Sequence, residues 1–128
     1  MNRQVIHTAD APQAIGPYSQ AISVDGGKTL YCSGQIPLDP KSGQMVEGDI
    51  TAQTDRVLQN LKAVVTASGL SLSNVVRCGI FLTDLADFAK VNEVYTRYFP
   101  TSPPARSTVQ VSALPRGARV EIEAIAVG

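Results

Sequence analysis

The stretch Arg119-Val120-Glu121-Ile122-Glu123-Ala124-Ile125-Ala126-Val127 is the longest strand-like run of the chain and indicates its fold class. Side chains alternate between the two faces of a strand, so Val120, Ile122, Ala124 and Ala126 share one face. The opposite face carries Arg119, the two glutamates, Ile125 and Val127, and both faces therefore contain apolar residues. Helices can cover one face in a chain of this length. The other is most simply covered by a second copy, which predicts a homo-oligomer.

Two amphipathic helices are predicted upstream of this strand. The first spans Thr51–Ser68, with Asp49 or Thr51 as its N-cap. The second runs from about Leu85 to Phe99 and ends before Pro100. The apolar positions of the first helix recur at helical spacing: Val57, Leu58, Leu61, Val64 and Val65.

The remaining elements are predicted strands. They are Gln4–His7, Ala21–Val24, Thr29–Gly34, a brief one near Met45, Val75–Leu82 and Arg106–Val111. Asp25-Gly26-Gly27-Lys28 is typical of a hairpin turn, and predicts that the strands on either side of it pair. The order of elements indicates one α+β domain over residues 1–128, a mixed β-sheet with two helices packed on one face.

Charge and composition exclude several functional classes. The formal net charge is zero and no basic run is present, which argues against nucleic acid as the main partner. No apolar run reaches the roughly 18 residues of a membrane span, and the N-terminus lacks a signal-peptide pattern, so we expect no membrane association and a cytoplasmic protein. The only histidine is His7, and Cys32 and Cys78 lie in apolar runs, so we expect no metal site.

Four places offer chemistry, each with a structural alternative. Arg106 follows two prolines at the start of a strand, where its planar donor fork suits a carboxylate. An ordinary salt bridge explains a lone arginine equally well. Glu121 and Glu123 lie on one strand face and can exchange protons if that face is desolvated, or can form rungs of a salt-bridge ladder. Tyr18 and the Ser33-Gly34 segment lie in glycine-containing turns that are also common without any function.

Six segments together resemble the RidA/YjgF family of reactive intermediate deaminases. They are residues 14–20 (Ala-Ile-Gly-Pro-Tyr-Ser-Gln), 33–37 (Ser-Gly-Gln-Ile-Pro), 53–69, 87–92 (Asp-Phe-Ala-Lys-Val-Asn), 104–107 (Pro-Ala-Arg-Ser) and 120–127. The resemblance implies a chorismate-mutase-like fold, a homotrimer with a central barrel of sheets, and sites between subunits. It implies a hydrolase that converts 2-imino acids to 2-keto acids and ammonia without metal or cofactor. The 2-imino acids arise from the reactive enamine and imine products of pyridoxal-phosphate dehydratases.

The resemblance also implies roles for individual residues. Arg106 would bind the substrate carboxylate and Glu121 would position or activate water. The substrate-binding residues would be Tyr18, Ser33, Gly34, Asn92 and Thr108. Some family members carry Cys at the position of Thr108, so we expect no thiol chemistry there. The alternative function is a regulatory trimer that binds keto acids in the same cleft and catalyses nothing.

Overall fold

The computed structural model describes residues 2–11 and 13–128, and the final strand lies inside its main sheet. The strands and helices are β1 (Asn2–Ile6), β2 (Ala21–Asp25), β3 (Thr29–Gln35), α1 (Ile50–Ala67), β4 (Val75–Leu82), α2 (Phe88–Tyr98), β5 (Ala105–Gln110) and β6 (Val120–Val127). Short 3₁₀ turns cover Leu72–Asn74, Leu85–Asp87 and Pro115–Gly117. Apart from the strand expected near Met45, the predicted strands and helices are present, with ends that differ by at most three residues.

The main sheet has the strand order β3-β6-β4-β5, so β6 and β4 are central and β5 is an edge. β4 and β5 run parallel, whereas β6 is antiparallel to both β3 and β4. The predicted mixed sheet is therefore confirmed. A separate two-stranded sheet is formed by β1 and β2, and the strand predicted near Met45 is reduced to a single bridge between Leu38 and Met45.

The predicted hairpin across Asp25–Lys28 is wrong. Gly26 and Gly27 make the expected turn with φ of 74° and 88°, but β2 pairs with β1 and β3 pairs with β6. The cause lies just after the turn. Lys28 donates its N–H to the carbonyl of Gly128 at 2.8 Å and accepts from the Gly128 N–H at 3.0 Å. The chain therefore enters the ladder with β6 instead of returning along β2.

Local capping determines where each helix begins. The Asp49 side chain accepts from the N–H of Ala52 at 3.0 Å, which confirms Asp49 as the N-cap of α1. Asp84 accepts from the N–H of Ala86 at 2.9 Å and starts a 3₁₀ turn. The second helix thus becomes α-helical only at Phe88, and its predicted start at Leu85 is corrected by one turn.

The two faces of β6 differ as the alternation predicts. Val120, Ile122, Ala124 and Ala126 are buried in one core with side chains of α1 and α2. On the opposite face, Glu121 and Ile125 are half-buried and Glu123 is exposed; Val127 is the exception, since it is buried at the end of the strand beside Asn74. That open face also carries apolar side chains from the neighbouring strands: Tyr31, Phe81 and Val109. No helix in the described part of the chain is long and apolar enough to cross a membrane.

The burial pattern of α1 generates a stability prediction. Leu61 is fully buried, whereas Val64, less than one turn away, is 38% exposed. We expect Leu61→Ala to lower the free energy of unfolding by about 2–5 kcal/mol, because it leaves a cavity in the core. The matched control Val64→Ala should change it by no more than about 0.5 kcal/mol. Denaturant unfolding at one fixed protein concentration measures both, and equal losses would contradict this placement of the core.

Candidate functional site

Arg106 lies at the start of the edge strand β5 and points towards the helices. Its partner across the parallel ladder is Cys78, which is buried in the core between sheet and helices. Paired residues of neighbouring strands share a face of the sheet. The Arg106 side chain is therefore directed to the helix-covered face, where it is half-buried next to α2.

Three aromatic rings surround the guanidinium group. Its Cζ lies 5.1 Å from the ring centroid of Tyr95, 5.5 Å from that of Phe88 and 5.6 Å from that of Tyr18. At these distances the ring faces attract the cation. One edge of the group is held by α2, since Nη1 donates to Oδ1 of Asn92 at 2.6 Å. The rings and the amide fix the orientation of Arg106 without neutralising its charge.

No described carboxylate forms an ion pair with Arg106. The ion pair that the described residues form joins Arg119 to Asp87 at 3.0 Å. Burial lowers the pKa of the Arg106 guanidinium, yet an arginine stays charged at physiological pH. A half-buried cation without a counter-charge attracts anions, and the geometry of the donors not used by Asn92 suits a carboxylate.

The groups beneath the guanidinium do not supply the missing charge. Burial raises the pKa of the Cys78 thiol to about 12 and also raises the pKa of the Tyr95 phenol, so both are neutral near pH 7. Both predicted buried cysteines are indeed buried. Among the described residues, no group of three or more His, Cys, Asp or Glu side chains is arranged to hold a metal ion.

The loop that carries Tyr18 is tied to the segment before Arg106. The N–H of Ser19 donates to the carbonyl of Pro104 at 3.1 Å, and the Ser19 hydroxyl donates to the carbonyl of Pro103. The Tyr18 N–H closes a tight turn onto the carbonyl of Gly16 at 2.8 Å. These bonds place the Tyr18 ring beside the guanidinium, and the buried Ser19 is a positioning residue that was not predicted.

Thr108 lies two residues beyond Arg106 on the same face of β5, opposite Ile80. Its hydroxyl is buried and has no hydrogen-bond partner in the described part of the chain. A buried hydroxyl without a partner costs roughly 1–3 kcal/mol. The unsatisfied hydroxyl therefore lies on the same face as Arg106 and would gain a hydrogen bond from any group that reached it.

Glu121 belongs to a second cluster, on the open face of the sheet. It lies opposite Phe81 of β4 and close to Gly34 of β3. A Cβ on residue 34 would overlap the Glu121 carboxylate and would lie 2.8 Å from its Cδ. Only glycine allows this approach. The exposed Ser33 precedes it, in the irregular part of the β3 ladder between Cys32 and Gln35.

The predicted site residues thus form two half-sites in one chain. Arg106 pairs with Cys78 and Glu121 pairs with Phe81, three residues apart on β4, so the two side chains leave opposite faces of the sheet. The structure brings Arg106 together with Tyr18 and Asn92, with Thr108 on the same face. It places Glu121 with Gly34 and Ser33. A single chain does not bring both half-sites to one small molecule.

Phe88 and Tyr95 were not predicted as neighbours of Arg106. In the sequence, Phe88 and Tyr95 belong to a stripe at helical spacing that predicts an ordinary core face of the second helix, and Tyr95 is indeed fully buried. The stripe consists of Leu85, Phe88, Asn92, Tyr95 and Phe99. A sequence feature that could have identified these neighbours of Arg106 was present in the stripe itself. Asn92 is its polar exception and lies four residues after Phe88 and three before Tyr95, so all three share one helical face.

Sequence and structure comparisons relate the chain to known proteins over nearly its whole length. A model of the family described as endoribonuclease L-PSP matches residues 8–128. Protein DfrA of Myxococcus xanthus is 68% identical over 99% of this chain and 97% of its own length. The 2-iminobutanoate/2-iminopropanoate deaminase of Mus musculus is 54% identical over 98% and 91%, respectively. The crystal structure of E. coli TdcF with bound serine is 44% identical over 98% of both chains, with a TM-score of 0.76.

The contact between Asn92 and Arg106 generates a binding prediction. Asn92→Asp would place a carboxylate against Nη1 of Arg106 and supply the counter-charge that the described residues lack. We expect the affinity for small 2-keto acids to fall by roughly tenfold, the equivalent of about 1.4 kcal/mol, while the fold is retained. Calorimetric titration with 2-oxobutanoate measures it. The control Gln44→Glu adds the same charge at an exposed turn and should leave the affinity unchanged; equal effects of the two variants would contradict the assignment of Arg106 as anion acceptor.

Proposed function

This chain belongs to the endoribonuclease L-PSP family, the RidA/YjgF family that its sequence resembles, and from that premise we propose that it is a 2-iminobutanoate/2-iminopropanoate deaminase. It would hydrolyse the short enamines and imines released by pyridoxal-phosphate dehydratases to 2-keto acids and ammonia. The deaminase names of mammalian relatives at 50–54% identity support this proposal. We further propose that the enzyme is cytoplasmic and works without a metal or cofactor.

The observation that carries the proposal is the Arg106 guanidinium, oriented by Asn92 and lacking a carboxylate partner among the described residues. A 2-imino acid has a carboxylate directly attached to its reactive carbon. Binding that carboxylate to the free donors of Arg106 fixes the position of the C=N bond. The serine bound to the E. coli relative, which also carries a carboxylate beside an amine-bearing carbon, is consistent with this mode.

The chemistry requires positioning and proton transfer. The enamine tautomerises to the imine, whose protonated carbon–nitrogen double bond is a strong electrophile. Water adds to C2, giving a carbinolamine; a proton moves from the added oxygen to the nitrogen, ammonia leaves, and the carbonyl of the keto acid forms. Glu121 would hold the water and carry that proton, while the backbone at Ser33 and Gly34 and the hydroxyl of Thr108 hold the substrate plane. A positioned reactant and one general base supply the assistance that this reaction needs.

We propose that the complete site forms between subunits of a homotrimer, because Arg106 and Glu121 leave opposite faces of the sheet in one chain. Arg106 of one subunit would meet Glu121 of the next. The open face supports this arrangement, since Tyr31 is 77% exposed and Val109 45% exposed there. Three such faces would pack into the central barrel of a chorismate-mutase-like trimer. This packing would also bury the apolar side chains that β6 and its neighbours present on the open face of the sheet.

Two other functions would use the same family fold. A regulatory trimer that binds keto acids at Arg106 without turnover has the same binding half-site, and differs only in the role of Glu121. Endoribonuclease activity, which the family description names, finds less support in this chain. It has one histidine, so no pair of catalytic histidines, and its net charge is zero.

Removal of the guanidinium tests the proposed reaction. We expect wild-type protein to accelerate keto-acid release from 2-aminoacrylate and 2-aminocrotonate, generated in situ by a threonine dehydratase. Arg106→Ala should lower kcat/KM by roughly a hundredfold or more, since a buried hydrogen-bonded charge pair is lost. Arg116→Ala, on an exposed turn, is the control and should keep full activity. Undiminished turnover by an assembled Arg106→Ala protein would exclude the proposed role.

Mixing two inactive variants tests whether sites lie between subunits. Arg106→Ala and Glu121→Gln proteins are each expected to be inactive alone. After joint dissociation and reassembly in equal amounts, sites that combine an intact Arg106 with an intact Glu121 should form at about a quarter of positions in a closed ring. Recovery of about that fraction of wild-type activity is the expected result. No recovery in demonstrably mixed trimers would place both residues of a site in one chain.

A further inference from the structure

Phe88 forms the accessible apolar wall beside Arg106. It is the first residue of α2, its ring centroid lies 5.5 Å from the guanidinium carbon, and it is 37% exposed. A phenylalanine at the surface end of a helix, next to a cation without a described counter-charge, is in a position to contact whatever anion binds that cation.

The other two rings at the guanidinium are less suited to that contact. Tyr95 is fully buried, so it supports Arg106 from beneath and cannot meet a ligand. Tyr18 presents a phenol whose oxygen accepts from the N–H of Ile15 at 3.4 Å. Of the three rings, Phe88 alone is both accessible and without a polar atom.

The geometry of a 2-imino acid directs its side chain to such a wall. The first carbon of that side chain is attached to C2, about 2.5 Å from the carboxylate carbon by ordinary bond lengths. A carboxylate bound to Arg106 can therefore orient the side chain towards Phe88, whose ring centroid is 5.5 Å from the guanidinium carbon, so that the two pack at the usual carbon–carbon distance of about 3.5–4.0 Å. The side chain is also the only apolar part of the molecule.

We propose that Phe88 is the specificity-determining residue of this site: its ring packs against the substrate side chain and limits it to one or two carbons. The inference rests on the proposed deaminase function and adds the size of the substrate. Phe88 does not take part in the chemical steps. It discriminates by leaving room for a methyl or ethyl group and by colliding with a branched or aromatic one.

The experiment compares two imines in three proteins. An L-amino-acid oxidase generates the imines of 2-aminobutanoate and of leucine in situ, and kcat/KM is measured for wild type, Phe88→Ala and Leu85→Ala. Leu85 is the matched control, since it is 45% exposed and lies three residues earlier in the preceding 3₁₀ turn. We expect Phe88→Ala to raise the ratio of leucine-derived to short-chain kcat/KM by roughly tenfold or more, and Leu85→Ala to leave it unchanged.

A binding measurement separates this inference from the proposed function. Affinities for 2-oxobutanoate and 4-methyl-2-oxopentanoate are determined by calorimetry on the same proteins and on Phe88→Leu, which keeps an apolar side chain should the alanine variant fail to assemble. Phe88→Leu should shift selectivity in the same direction by a smaller factor. If the wild-type protein binds the short keto acid more tightly but does not turn over imines, the deaminase function is refuted. In that case, a smaller difference between the two affinities in the Phe88 variants would still support Phe88 as the residue that limits side-chain size.

Several outcomes would overturn the inference. If Phe88→Ala lowers kcat/KM for both imines by the same factor, Phe88 only supports Arg106 and does not select for substrate size. The same selectivity shift in Leu85→Ala would make it a general effect of the helix start. Wild type that neither binds nor turns over any of these compounds would contradict both proposals.

Discussion

The uncompensated charge of Arg106 is the constraint on which the rest of the site depends. A half-buried guanidinium that forms no ion pair with a described carboxylate must be held in place by other contacts. The structure supplies three ring faces and one amide oxygen for that purpose. Phe88, Tyr95 and Asn92 all lie on one face of α2, whereas Tyr18 comes from a loop that Ser19 ties to the prolines before β5. The local fold is thus arranged around a cation that remains available to an external carboxylate.

A second constraint comes from the central strand β6. Its residues contribute to the core on one face and present Glu121 and Ile125 on the other, so the chain alone leaves an apolar and acidic face uncovered. Gly34 allows Glu121 to occupy its position on this face, because any side chain at residue 34 would displace the Glu121 carboxylate. If a second copy covers this face, as we propose, the requirement for cover and the requirement for a carboxylate opposite Arg106 are met by the same contact.

The periodic parts of the fold were predictable from the sequence, whereas pairing and side-chain neighbours were only partly so. Helical spacing located α1 and the Asp49 cap, and alternation assigned most side chains of β6 to the correct face. The turn at Gly26 and Gly27 was recognised, but local turn chemistry does not say which strand the chain joins next. The bonds between Lys28 and Gly128 decide that, and they join residues 100 positions apart. In the same way, the stripe that contains Phe88 and Tyr95 looked like ordinary core because only the tertiary fold brings Arg106 over it.

A crystal structure of the protein with bound 2-oxobutanoate tests the proposed site most directly. We expect the ligand carboxylate on the donors of Arg106 that Asn92 leaves free, the ethyl group against Phe88, and the Glu121 carboxylate of a neighbouring subunit facing C2. A ligand bound away from Arg106, or one contacted by Arg106 and Glu121 of the same chain, would contradict the proposed site.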